Sequence, residues 1–325
     1  MAVTTAVRAK EATRQSHNRR AASDALYRWS LAVAALIFVG VLTAFVVDLI
    51  IQARPAFAHF GFAFIWGTQW NPVTAHYGAL PFIIGTLETT AIALVLAIVF
   101  GMGAAIALAY LLPPSLRVIL GTAVELLAAI PSVIYGLWGL LVVAPWARTI
   151  IEPAVAAIFG HSGPASGAEI GIGLLLAGLI LFVMVLPTMV AISRDVLAAV
   201  SVEQREAALA LGATRWQMIS RVVIPTARTG LLGAITLAMG RALGETIAVT
   251  MVIGNTPGIP HSLFAPAATM ASVIANQFTE ATEPFHLASL VAVGVLLLVV
   301  SVLVNSLARL LVRSIGRTRS GIAIT

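Results

Sequence analysis

The chain has no cysteine and a single lysine, Lys10, among its 325 residues, and only 10% of those residues are charged. Each scarcity excludes something. Without cysteine there are no disulfides, thiol nucleophiles or thiolate metal sites. The lone lysine sits in a tail without the glycines of a G-x-x-x-x-G-K-[ST] loop, so the chain has no phosphate cradle for hydrolysing ATP itself. No H-E-x-x-H, G-x-S-x-G or kinase-type set occurs, and no two histidines stand four apart, which removes the support for a hydrolase or a helical zinc site. Too few charges remain to cover the surface of a soluble domain of this size.

What is present is apolar. Hydrophobic residues make up 60% of the chain and the mean hydropathy is +1.01, values that predict an integral membrane protein. A helix needs roughly 20 apolar residues to cross a bilayer. Six stretches meet that test, at about residues 31–51, 80–112, 116–143, 169–192, 229–253 and 287–312. The predicted fold class is therefore all-α, with one six-span domain over residues 30–313 between a polar segment, 1–29, and a tail, 314–325. The first 29 residues are too long and polar for a cleavable signal, so 31–51 is read as a retained span.

Arginine placement predicts orientation, because basic connections stay in the cytoplasm. The N-terminal segment, the connection with Arg117, the long connection from Arg194 to Arg228 and the tail from Arg309 onward hold every basic residue except Arg54, Arg148 and Arg241. Those four segments lie on one side if there are six spans, which puts both termini in the cytoplasm of a plasma membrane. The net charge of +6 is thus explained by topology. No basic face interleaved with aromatics points to nucleic acid, and membrane lipid is the expected surroundings. Trp66, Trp70, Tyr77 and Trp146 fall at predicted outer boundaries and Tyr27 and Trp29 at an inner one, as in an interfacial aromatic belt.

Residues 194–228 form the longest cytoplasmic connection. An amphipathic helix with Gly212 as its stop and a second short run, 214–223, ending at Pro225 predict a helix, turn and helix. Trp216 and Met218 are its apolar contacts for a soluble partner; a helical pair lying on the membrane surface is the alternative. Glu206, Ala207 and Ala208, then Gly212, then Val222, Ile224 and Pro225 resemble the EAA loop of ABC importer permeases. The resemblance implies a type I ABC importer permease fold and a loop that docks on an ATPase subunit. ATP and Mg would then bind to that partner and no cofactor to this chain.

The stretch RALGETIAVTMVIGN, residues 241–255, carries the remaining arginine. On a helix Arg241 and Glu245 share a face and can pair. Either charge alone at that depth costs about 2.5 to 3.5 kcal/mol on insertion scales, so each must face protein or water. The pair either fixes helix packing or lines a path, where the guanidinium's planar fork suits a phosphate-like oxyanion. Glu245 would balance Arg241 and accept a hydrogen bond from a protonated anion. Gly240 and Gly244 form a GxxxG step beside them. Glu88 in span two and Glu125 in span three are further pathway candidates, or pair with neighbours such as Thr89 or Ser132. Pro131 and Pro187 predict kinks in spans three and four.

With AAIPSVIYGLWGL at 128–140 and GTLETTAIA at 85–93, this stretch resembles the PstC-type permease of phosphate-specific ABC importers. The resemblance implies passage of inorganic phosphate past Arg241 and Glu245. It also implies a second permease subunit of PstA type, two ATPase subunits of PstB type and an extracytoplasmic binding protein of PstS type, received by outer loops such as FIWGTQW. A permease for sulfate or molybdate, and a secondary transporter working without ATP, remain alternatives. The second would be favoured by inverted internal symmetry, and none is convincing here.

Overall fold

The computed structural model describes residues 2–159 and 170–317; Met1, His161, Glu169 and residues 318–325, with Arg319, lie outside the described residues. The chain divides into two units, residues 1–52 and 53–325. The first is helical throughout, part of α1 (Ala2–Phe60), and apolar residues such as Leu36, Ile37 and Phe38 line it without a polar face from Leu31 to Val47. A helix apolar all round is one that faces lipid or protein on every side.

Among the described residues, six helical stretches are long and apolar enough to cross a membrane: Tyr27–Phe60, Leu80–Leu111, Ser132–Ile158, Leu174–Ala198, Arg215–Leu243 and Pro284–Leu310. The chain is an all-α, multi-pass membrane protein. In the second unit the order begins with the last turns of α1, then α2 (Ala63–Trp66) and a short antiparallel hairpin of β1 (Trp70–Asn71) and β2 (His76–Tyr77). Next come α3 (Leu80–Ile106), α4 (Pro114–Ala128), α5 (Ser132–Trp138), α6 (Ala144–Trp146) and α7 (Glu152–Phe159). After them follow α8 (Leu174–Ala198), α9 (Val202–Ala210), α10 (Arg215–Met218), α11 (Ile224–Leu243), α12 (Ile247–Val252), α13 (Met270–Gln277) and α14 (Pro284–Arg317).

Helix α8 is the centre of the packing. Leu176, Ile180, Leu181, Met184 and Met189 are fully buried, and α3 lies against them with a small-residue face, Ala93 and Ala97. Between apolar helices in lipid there is little hydrophobic gain to be had, so small residues that let surfaces interlock carry the association. Gly101 shows how tight this is: a Cβ there would lie 2.9 Å from Met189 Cγ. Pro187 sits inside α8 without ending it.

The third crossing differs from the continuous run expected at 116–143. The chain breaks at residues 129–131, between α4 and α5, and the stretch of spanning length begins at Ser132. Pro131 causes the break, because it has no N–H to give and forces the preceding residue out of the helical region. The Tyr135 hydroxyl donates to Leu127 O at 2.7 Å and ties the two pieces across the gap.

The connection between α12 and α14, expected as an outer loop, is largely interior. Phe264, Ala267 and Met270 are fully or almost fully buried. Carbonyls of Val252, Ala265 and Leu263 accept from the N–H groups of Gly173, Leu174 and Leu175 at 3.1, 3.2 and 2.8 Å. These first N–H groups of α8 have no partner within their own helix, so the loop is held down by the need to satisfy them. Thr86 Oγ1 accepts from Met270 N at 2.9 Å and ties α13 to α3.

Trp66 and Trp146 are exposed, whereas the aromatic-belt reading is corrected for Trp70 and Tyr77, which are buried. Trp70 and Tyr77 face each other across the hairpin and pack on Phe82 and His286. Trp70 Nε1 donates to Gln277 Oε1 at 2.9 Å, the partner that a buried indole needs. Phe64, also within FIWGTQW, is fully buried, which leaves Trp66 as that segment's projecting aromatic side chain.

Candidate functional site

Helix α11 ends at Leu243, with Gly244 as its cap, and a new helix, α12, begins at Ile247. Arg241 and Glu245 are therefore not on one helical face, and among the described residues no ion pair joins them. That expectation is corrected, and the helix ends explain why. Arg241 lies in the last turn of α11, where the carbonyl ends carry partial negative charge; Glu245 immediately precedes α12, where the amide ends carry partial positive charge. Glu245 Oε1 accepts from Ala248 N at 3.2 Å. Each charge is complemented by a helix end instead of by the other. The GxxxG step is split too: Gly240 faces Asn305 of α14, while Gly244 terminates the helix.

The break is held from the side. A Cβ at Gly136 of α5 would lie 3.0 Å from Ala248 Cα and 2.7 Å from Met251 Sδ. Val249 and Val252 of α12 are buried in the same core as α8. Glu245 is half-buried at the break, whereas Arg241 is exposed and lines a groove of about 500 Å³ with residues of α14, among them Asn305 and Arg309.

The other two carboxylates lie elsewhere. Glu125 of α4 accepts from Arg194 of α8 at 3.2 Å, so its partner is not Ser132. Arg194 also reaches Asp195 at 3.1 Å. Glu88 projects from the exposed face of α3; Thr89 bonds to Gly85 O and Thr86 O and is not its partner. The structure does not gather the four pathway candidates into one cluster.

The loop at 194–228 has the expected helix, turn and helix. Ser201 caps α9 by accepting from Gln204 N at 3.4 Å. At the other end Ala213 N donates to Ala208 O at 3.1 Å and Gly212 N to Leu209 O at 2.9 Å, with Gly212 at φ +83°. This is the Schellman closure that glycine serves best. Thr214 and Gln217 form a capping box on α10. The run does not end at Pro225, however. A π turn at Ile219–Val223 leads directly into α11, so the helix runs on past Pro225, its second residue.

Glu206 and Ala207 are exposed, and Ala208 is half-buried against the core formed by Val200, Ile219 and Val223. Leu211 is 89% and Trp216 61% exposed, so these are the apolar side chains the loop presents most fully. Met218 is buried and is corrected as a partner contact. Residue-by-residue reading missed Arg205, whose guanidinium stacks on the Tyr110 ring at 5.6 Å while the Tyr110 hydroxyl donates to Leu197 O. That contact anchors α9 to the end of span two. It also missed Asn305, an amide within the mostly apolar run 287–312, which was itself a usable signal.

Six apolar helices, with a capped helical knob between the fourth and fifth, define a multi-pass membrane protein among the described residues. Residues 97–317 match the family described as the binding-protein-dependent transport system inner membrane component. The chain belongs to that family. It is 44% identical to the phosphate transport system permease protein PstC of Mesorhizobium japonicum, over 98% of this chain and 99% of that protein. It is 42% identical to the protein of the same name from Pasteurella multocida, over 90% and 93%. Among solved structures it resembles a bacterial alginate ABC transporter in complex with a periplasmic protein (18% identity, TM-score 0.59, 89% and 96% covered). The inward-facing methionine ABC transporter MetNI is similar in fold as well (20% identity, TM-score 0.55, 76% and 99% covered).

Proposed function

We propose that this chain is the transmembrane permease subunit of an ATP-driven importer and that inorganic phosphate passes Arg241 on its way inward. The observation that carries this is an exposed guanidinium at a broken helix inside a membrane-spanning domain, with no carboxylate paired to it among the described residues. A permanently charged fork at that depth needs an anion or water opposite it. The half-buried Glu245 carboxylate stands four residues on and disfavours anions that cannot give it a proton. The relatives named PstC support phosphate as that anion.

The rest of the assembly extends this reading to the partners. A PstA-type permease subunit covers the pathway side. Two PstB-type ATPase subunits bind ATP and Mg, one of them gripping the knob around Glu206, Ala207, Ala208 and Gly212 through Leu211 and Trp216. A PstS-type binding protein delivers phosphate at the opposite end. The arginine-rich loop and both termini face the cytoplasm across a bacterial plasma membrane, in line with the positive-inside rule.

Arg241→Met in the assembled complex is expected to lower phosphate uptake by about 10- to 100-fold, the equivalent of one lost charged hydrogen-bonding partner. Uptake at the original rate would remove the anion site. Labelled phosphate uptake competed equally well by sulfate would point instead to a general oxyanion permease.

A further inference from the structure

The groove that receives Arg241 holds a second arginine, and nothing in the reading above uses it. Arg309, Asn305 and Ser301 of α14 line it together with Arg241, Gly240 and Thr236 of α11. On α14 the three polar residues stand four apart, which stacks them on one face at steps of about 6 Å. Asn305 Nδ2 donates to Ser301 O at 2.8 Å, and this sets the amide beside Gly240, where a Cβ would come within 3.5 Å of Asn305 Oδ1. A larger residue at position 240 would press on that amide at the groove wall. The two helices pack against each other, and Arg309 lies toward the end of α14 that carries the arginine-rich tail.

Two permanent positive charges thus share one groove of about 500 Å³, and among the described residues neither is ion-paired to a carboxylate. Such an arrangement is self-repulsive until an anion enters. A tetrahedral oxyanion has acceptors for both forks, and its residual P–OH can donate to an amide oxygen. Resting on the phosphate reading above, we infer that Arg309 and Asn305 form a second phosphate-holding station, which takes the anion from Arg241 and passes it toward the tail-bearing end. The competing role for Arg309, a charge that merely anchors the helix end at the bilayer surface, predicts no ligand in the groove.

The chain has no cysteine, so Ser306→Cys places a single thiol in it at the groove wall. In the assembled complex in proteoliposomes, a negatively charged thiosulfonate should label this thiol about 10-fold faster than a neutral one, because a positive groove concentrates anions. Inorganic phosphate should slow that labelling, and adding Arg309→Gln should lower both the preference and the protection several-fold. Equal rates for the two reagents, or rates untouched by phosphate, would overturn the station. If Arg309→Gln does not assemble, phosphate protection of Ser306→Cys that survives in an added Arg241→Met background still decides for the second station, and its loss there decides against it.

Uptake gives the second readout. Per assembled complex, Arg309→Gln should transport phosphate about 10-fold more slowly, and Arg309→Lys should recover part of the loss by restoring charge without the fork. A fast Arg241→Met complex would sink the underlying phosphate reading. A slow Arg241→Met complex beside an Arg309→Gln complex that transports and labels as the original does would sink only the second station.

Discussion

Among the helices that stop at a glycine, α9 at Gly212 and α11 at Gly244 stop for different reasons. Gly212 takes φ +83°, a left-handed turn with nothing within 4 Å of where a Cβ would be. Gly244 takes φ −90°, which any residue adopts. The first stop is a backbone device built from local sequence: Ser201 at one cap, Gly212 at the other, and hydrogen bonds within a few residues. The second depends on distant partners, chiefly α5 and α8 packing on α12, with Glu245 closing the new helix. A surface knob must keep its shape with little surrounding protein to hold it, whereas a break within a bundle is shaped by its neighbours.

That contrast can be attacked from its strongest support downward. Gly136→Leu would drive a side chain into Ala248 and Met251, and overpacking of this kind costs about 1–3 kcal/mol. We expect the melting temperature of the purified complex to fall and phosphate uptake to fall with it; an unchanged melting curve would mean that α5 does not hold the break. Gly212→Ala should cost about 1–2 kcal/mol through left-handed strain alone, read as less ATPase subunit retained on purification. Glu245→Ala removes a carboxylate that accepts from a helix-start N–H, for a loss of about 1 kcal/mol in thermal stability, with Glu245→Gln milder because it keeps an acceptor. Gly244→Ala should lie within about 0.5 kcal/mol of the original. Were it to cost as much as Gly212→Ala, the two stops would be alike and the contrast would fail.

Much of the architecture was legible in the residues. Six apolar runs, the capped knob and its glycine stop all follow from composition, capping chemistry and spacing, which act over a few residues. The pairing of Arg241 with Glu245 did not survive, because i, i+4 geometry assumes a continuous helix and no local breaker stands between them except Gly244, itself in an ordinary helical conformation. Trp70 and Tyr77 look like interface residues until the hairpin folds them under α14 and gives the indole N–H a glutamine. Glu125 and Arg194 stand far apart in the chain and meet only because α4 lies along α8.

By itself the sequence determined that this is a six-span helical membrane protein with a projecting loop, since backbone groups in lipid must be satisfied within each helix and the apolar runs are long enough to do so. The tertiary structure alone decided where helices break, which charges remain unpaired, and that α11 and α14 bring Arg241 and Arg309 into one groove. Those outcomes depend on which surfaces meet, and contact between helices far apart in the chain leaves no mark on the periodicity of either one.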